Sequence, residues 1–196
     1  MASFTPADGF KPIHCKLTEA TNGYFYGTTI FGGVYGKGSI FRLSRGGELK
    51  TVFSFQGSNG NQPLGGLVQA SDGRLYGTTG VGGNNDEGTV FRFSNNGGLT
   101  TLIHFSGANG WLPATALMQA SDGNLYGSTI AGGGYDEGTI FRLTTNGLFK
   151  VLVHFNGANG RRCRGRAASA DEQGLMQFQY AGATNAAARF YRLAPK

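Results

Sequence analysis

Hydrophobic residues fall along this chain in runs of four to seven, each closed by a turn rich in glycine, asparagine or aspartate. In the stretch that begins at Leu67 the runs cover 67–70, 74–79, 89–94 and 99–105. They are rich in Val, Thr, Phe and Tyr, which suit a pleated surface, and each is shorter than an ordinary helix. Asp72-Gly73 joins the first pair of runs and Asn96-Gly97 the last pair, and both are hairpin signals. A long loop, GVGGNNDEG, joins the second run to the third, and the fourth leads into a linker, SGANGWLP. The pattern predicts four short antiparallel strands.

The same pattern recurs every 50 residues: Leu17, Leu67 and Leu117 are equivalent, as are Arg42, Arg92, Arg142 and Arg192. Four copies of a four-stranded unit predict an all-β fold, a small β-propeller of four 50-residue, four-stranded blades. The chain reads as a single domain, 1–196, with a closing segment at 1–16, repeats at 17–66, 67–116 and 117–166, and a degenerate repeat at 167–196. Its start, SFTPADGFKP, echoes the linker HFSGANGWLP, and its end, FYRLAPK, stops after a third-strand sequence. The two ends are therefore expected to pair, residues 1–4 beside 188–193, closing the ring and removing free edges. An open stack and a ring completed by oligomerisation are the alternatives. In the fourth copy RRCRGRAASADEQGLMQFQ replaces the proline, the Asp-Gly turn and LYGTT, so 161–179 is expected to be the least regular stretch.

Taken together, LYGTT, the paired glycines and GTVFR resemble the bacterial GloVer-type tandem repeats, strongly over 17–160 and weakly over 180–193. Asp-Gly-Asn-Leu at 122–125 is similar, more distantly, to the propeller repeats of two-component regulators. The resemblance implies a propeller and an extracytoplasmic home. It implies no defined activity and brings no catalytic motif to carry over.

The 35 glycines lack the period of three that collagen needs, and the regular recurrence of 15 Phe and 8 Tyr argues against disorder. A net charge of +6 would ordinarily suggest a nucleic-acid partner, but residues 1–160 hold 10 Lys or Arg against 9 Asp or Glu. The excess sits in the degenerate repeat, so no nucleic-acid partner is expected. No apolar run approaches a membrane span and the N-terminus lacks signal-peptide order, which predicts a soluble chain. Cys15 and Cys163 make no disulfide framework; a free pair is the commoner case, with a single bridge as the alternative.

HExxH, CxxC, GxSxG and P-loop patterns are all missing, so zinc hydrolysis, thiol redox, serine hydrolase and nucleotide chemistry lack their usual signals. His104 and His154 are equivalent, but Ser54 holds that position in the first unit. The arginine series is expected to bond turn carboxylates such as Asp72 and Asp122, or to stack on rings, tying blades together. Tyr26, Tyr76 and Tyr126 are expected to be packing residues whose hydroxyls find partners.

The better candidates lie where long loops and linkers meet. Asp86-Glu87 and Asp136-Glu137 recur there with Asn59, Asn109 and Asn159, and Asp8 takes the corresponding N-terminal place. Carboxylates and amide oxygens converging from different blades are the ligands of a hard cation such as Ca²⁺. Lys37 replaces the glutamate in the first unit and Ala186-Ala187 the pair in the fourth, so the site would be one-sided. One reading is then a Ca²⁺-assisted lactonase or esterase of the gluconolactonase kind, with Asp86 and Asp136 on the cation with the three asparagines, and Asp86, Glu87, Asp136 and Glu137 supplying the acid–base chemistry. No organic cofactor is expected. The alternative is a non-catalytic binding propeller for a glycan or protein, with Trp111, Tyr35 and Tyr135 as the ligand-facing aromatics.

Overall fold

The computed structural model describes residues 9–10 and 16–159 and three later strand segments, 169–170, 176–177 and 190–191. The first unit forms β1 (Thr18–Glu19), β2 (Phe25–Thr29), β3 (Ser39–Leu43) and β4 (Leu49–Ser54). The second forms β5 (Val68–Gln69), β6 (Leu75–Thr79), β7 (Thr89–Phe93) and β8 (Leu99–His104), within a residue or so of the expected runs. The third forms β9 (Met118–Gln119), β10 (Leu125–Ser128), β11 (Thr139–Leu143) and β12 (Phe149–His154). Each unit is an antiparallel sheet with its strands in chain order. The described residues hold no helix.

A fourth sheet has three strands, β13 (Ser169–Ala170), β14 (Met176–Gln177) and β15 (Phe190–Tyr191). Its register is displaced: Tyr126 faces Arg142 in the third unit, whereas Met176 faces Tyr191 instead of Arg192. The chain is thus an all-β propeller, and its described residues form three four-stranded sheets and one three-stranded sheet. The pairing expected of residues 1–4, most of 161–179 and both cysteines lie outside the described residues.

Why each unit takes this shape can be read at single positions. Gly77 and Gly127, the glycines of LYGT, sit across from Phe91 and Phe141, and a Cβ on either would come within 2.5 Å of the partner ring. The ring therefore lies over the glycine, filling the sheet face that the glycine leaves bare. One extra residue in β4, β8 and β12 bulges each outer pair at the same place, strengthening the local twist.

The core lies between sheets. Tyr26, Ile40 and Phe55 of the first unit meet Leu67, Leu75, Phe91 and Phe93 of the second. Phe55 packs against Phe91 with ring centroids 5.2 Å apart, and Phe105 repeats this against Phe141 at 5.5 Å. Aromatic pairs of this kind contribute about 0.5–1.5 kcal/mol beyond their burial. Polar rungs add direction. Buried hydroxyl pairs join Thr29 to Ser39, Thr79 to Thr89 and Thr129 to Thr139 at 2.8–2.9 Å, which explains the threonines of LYGTT and GTVF. The Gln69 amide accepts from the Thr21 N–H and donates to the Thr21 hydroxyl, and Gln119 does the same with Ser71, stitching successive units together.

Candidate functional site

Two ends of the sheets differ in build. At one end are the tight hairpin turns; at the other are the long loops and the linkers. Each linker wedges between two long loops. Asn61 pairs with Val81 and Trp111 with Ala131, while the Gln62 and Leu112 N–H groups donate back to the carbonyls of Lys37 and Glu87. Phe10 pairs with Phe31 in the same way. Gln62, Asp86, Leu112 and Asp136, with φ between 53° and 57°, are all the non-glycine residues of positive φ among those described, and all lie at this end. Such a conformation is uncommon outside glycine and persists only where surrounding contacts hold it.

The acidic candidates have structural duties here. Asp86 Oδ1 accepts from the Gly82 N–H at 2.8 Å, and Asp136 Oδ1 accepts from Gly132 at 2.9 Å, each closing its own long loop. Asn59, Asn109 and Asn159 likewise turn Oδ1 inward, accepting from the N–H groups of Gln56, Ser106 and Asn156. Among the described residues no three His, Cys, Asp or Glu side chains come together as a metal-binding group. Glu87 differs from its neighbours. Its Oε2 is buried with no hydrogen-bond partner, and both carboxylate oxygens lie 3.6 Å from where a Cβ on Gly107 would stand, beside the turn that carries Asn109. The structure brings Glu87 to that turn and leaves Asp86 on its own loop. Glu137 is partnered.

The histidines also have a loop role. His104 Nδ1 accepts from the Asn84 N–H at 3.1 Å and His154 Nδ1 from Gly134 at 3.0 Å, with Ser54 Oγ serving Val34 in the first unit. All three positions hold an acceptor, which is why serine and histidine interchange there.

The aromatic candidates are exposed: Trp111 at 41%, Tyr35 at 53% and Tyr135 at 65%. Tyr35 and Tyr135 hold equivalent places in the first and third long loops, where the second has Asn85. A fourth aromatic joins them. Phe10, 46% exposed and stacked on Phe31 at 5.7 Å, holds against the first long loop the linker place that Asn61 holds against the second and Trp111 against the third. Its signal in the sequence is the echo of ADGFKP in ANGWLP. The first and third long loops thus each carry a tyrosine and pair with an aromatic linker residue, while the second carries Asn85 and pairs with Asn61.

The opposite end carries a hydroxyl–carboxylate network. Tyr76 donates its one hydroxyl proton to Asp72 Oδ2 at 2.8 Å and lies 3.2 Å from the Thr145 carbonyl of the next unit, which accepts from Arg92 at 3.4 Å. The tyrosine, rather than the arginine, holds the turn carboxylate, and Arg92 reaches the neighbouring carbonyl instead. Burial first, then the hydrogen bond and charge of Asp72, push the Tyr76 phenol up to about 12, against the opposing charge of Arg92. Burial also pushes the Asp72 carboxyl up, but hydrogen bonds from Tyr76 and Arg74 and the charge of Arg74 outweigh it and hold it below its ordinary value. A raised phenol keeps its proton in the fold, so its stabilisation is complete below pH about 10 and is lost as pH rises towards the folded value. A depressed carboxyl works oppositely: its contribution is complete above pH about 4 and is lost as pH falls through the folded value. In an alkaline titration followed by tyrosinate absorbance, Tyr76 is expected to titrate late, identified by its loss in Tyr76→Phe. Asp72→Asn should bring it part of the way back towards 10, because burial remains. A Tyr76 that titrates normally in the wild type would contradict this.

Solved structures similar to this one are propellers. Virginiamycin B lyase from Staphylococcus aureus superimposes with a TM-score of 0.62 at 20% identity, covering 92% of this chain and 55% of its own. A candidate gluconolactonase gives 0.55 at 21% identity, covering 82% and 55%. The extracellular domain of a hybrid two-component system from B. thetaiotaomicron gives 0.57 at 19% identity, covering 84% of this chain and 20% of its own. The chain spans about half the length of the first two, and identities this low show the fold alone. No curated protein matches significantly in sequence. The model of the Gloeobacter/Verrucomicrobia repeat matches residues 1–191, in keeping with the 50-residue register and the LYGTT, paired-glycine and GTVFR signals, and the chain belongs to that family.

Proposed function

We propose that this chain is a ligand-binding propeller whose working surface is the end built by the long loops and linkers, and that its ligand is a polyhydroxylated molecule of the glycan class. The observation that carries this is the collection of exposed aromatics. Of the seven large hydrophobic side chains exposed among the described residues, Phe10, Val34, Tyr35, Trp111 and Tyr135 lie at this end. Flat aromatic faces pack against the C–H faces of sugar rings, and amides such as Asn61 and Asn85 can bond the hydroxyls between them. Positive-φ residues and interlocked loops hold the surface in one shape, which lowers the ordering cost of binding. Trp111 is the sole tryptophan of the chain, so its emission reports on this surface alone. Titration with a panel of neutral oligosaccharides is expected to give a saturable change in that emission. A flat response across the panel, confirmed by calorimetry, would overturn the reading.

A second reading, a cation-assisted lactonase or esterase, rests on the unpartnered Glu87 Oε2. Glu87 and the Asn109 turn would hold a hard divalent cation, with Asp86, Asp136 and Glu137 as further acidic groups at the same end. Such an ion would supply Lewis acidity towards a carbonyl. The candidate gluconolactonase and the virginiamycin B lyase share the fold and lend the reading no more than that. On this reading Ca²⁺ should raise the unfolding temperature of the wild type and leave Glu87→Gln unchanged, and a chelator should abolish lactone hydrolysis reversibly. An equal response of both proteins to Ca²⁺ would remove Glu87 from the site. Hydrolysis indifferent to chelator would remove the cation.

A further inference from the structure

The hairpin end of the fold holds a feature that the loop-end reading does not use. Between the first and second sheets lies a cleft of about 240 Å³ lined by Arg42, Lys50, Thr51, Val52, Phe93, Asn95, Asn96 and Gly97. Arg42 and Lys50 are direct cross-strand partners on β3 and β4. Like charges in that arrangement repel. The repeat normally answers this arginine with acid: Asp122 feels the charge of Arg142, and Tyr76, beside Arg92, is bonded to Asp72. In the first unit the acid is replaced by Asn22, whose amide donates to the Tyr26 hydroxyl at 2.9 Å. The Arg42 guanidinium lies 4.5 Å over the Tyr24 ring and donates to no described residue, and Lys50 has no ion-pair partner among them. The Asn96 Oδ1 is taken up by the Ser94 hydroxyl and the Gly98 N–H, which leaves its amide N–H groups as the donor side. Two cations with no counter-charge among the described residues, amide donors and a wall of buried Phe93 make a cavity chemically matched to an anion.

We propose that this cleft binds a tetrahedral oxyanion, the phosphate or sulfate ester of a ligand, through Arg42 and Lys50. The guanidinium offers a planar fork of N–H donors, the ammonium a mobile point charge, and the two together suit a group with several equivalent oxygens. Unit two shows the contrast: Thr100 faces Arg92, Asp72 is present, and the Thr145 carbonyl takes the arginine. The exception in unit one involves two positions at once, Asn22, which removes acid from the arginine, and Tyr24, which holds it in place; Lys50, which the third unit matches with Lys150 facing Arg142, adds positive charge where that acid is missing.

The test uses the full chain in calorimetric titrations and thermal unfolding with inorganic phosphate and inorganic sulfate, against acetate and chloride at matched ionic strength. Phosphate, sulfate or both are expected to bind saturably and raise the unfolding temperature, and the better of the two identifies the ester. Lys50→Thr copies the residue that the second unit tolerates, and Asn22→Asp copies the acid of the second and third units, so neither endangers the fold. Each is expected to weaken binding by about tenfold or more, the scale of one charge-assisted hydrogen bond. Lys150→Thr, which removes the equivalent lysine of the third unit, should leave the affinity unchanged. A response no greater than that to chloride, an equal response to acetate, or unchanged affinity in both Lys50→Thr and Asn22→Asp would overturn the proposal.

Discussion

Gly88→Ala is expected to destabilise the fold by about 3–5 kcal/mol, a large share of the 5–15 kcal/mol typical of a domain. Gly88 ends the second long loop at φ +100°, where a Cβ would meet the Thr79 carbonyl at 2.5 Å, Pro113 Cδ at 2.6 Å and the Gly80 carbonyl at 3.0 Å. Two of those three atoms are backbone, so no rotamer change relieves the overlap. Its N–H donates to Gly82 and its carbonyl accepts from Phe105, so the residue cannot shift without breaking both bonds. Gly38 and Gly138 repeat the arrangement against Thr29 and Thr129. Gly73→Ala is the control. Gly73 also has positive φ, but nothing lies within 4 Å of its Cβ direction, so only conformational strain of about 1–2 kcal/mol is expected. Urea unfolding of the two variants measures the difference. Equal midpoints would show that crowding at this corner does not limit stability.

Trp111→Ala is expected to weaken oligosaccharide binding by about 30-fold or more, since a tryptophan at the centre of a contact surface is commonly worth upwards of 2 kcal/mol. Trp111 holds its place through backbone bonds to Ala131, which survive truncation of the side chain. Its indole is 41% exposed, so the cost to the fold should be small beside the loss of binding. Tyr135→Ala should weaken the same ligand by about tenfold. Leu148→Ala, which removes a hairpin-end side chain more exposed than either, should leave it unchanged. The variant lacks the fluorescent reporter, so calorimetry makes the measurement. Trp111→Ala and Leu148→Ala affinities that match would place the ligand away from the loop end.

Much of the fold was legible because its determinants are local and repeated. The Asp-Gly and Asn-Gly pairs mark hairpins through backbone freedom, and the 50-residue spacing of Leu17, Leu67 and Leu117 requires each unit to fold alike. β5 to β8 accordingly fall within a residue or so of the runs read from hydrophobicity alone. The grouping of long loops and linkers at one end follows from antiparallel order without further information. So does the placing of Tyr35, Trp111 and Tyr135 at that end, while their exposure of 41–65% is read from the structure.

What the amino-acid order could not convey is which polar group each side chain would meet. Asp86, Asp136 and the three asparagines look from their spacing like a converging ligand set, yet each turns an oxygen onto a backbone N–H three or four residues away. Glu87 lies beside the linker turn at Gly107 with no donor for Oε2, whereas Glu137, its equivalent by the 50-residue shift, is partnered. Arg42, Arg92 and Arg142 are identical by repeat position, but their surroundings differ: an aromatic face for the first, a carbonyl of the next unit for the second. Periodicity and turn chemistry are properties of the chain and determined the units, their strands and their stacking order. Hydrogen-bond partners and uncompensated charge depend on which loops meet across two blades, and only the tertiary structure decided them.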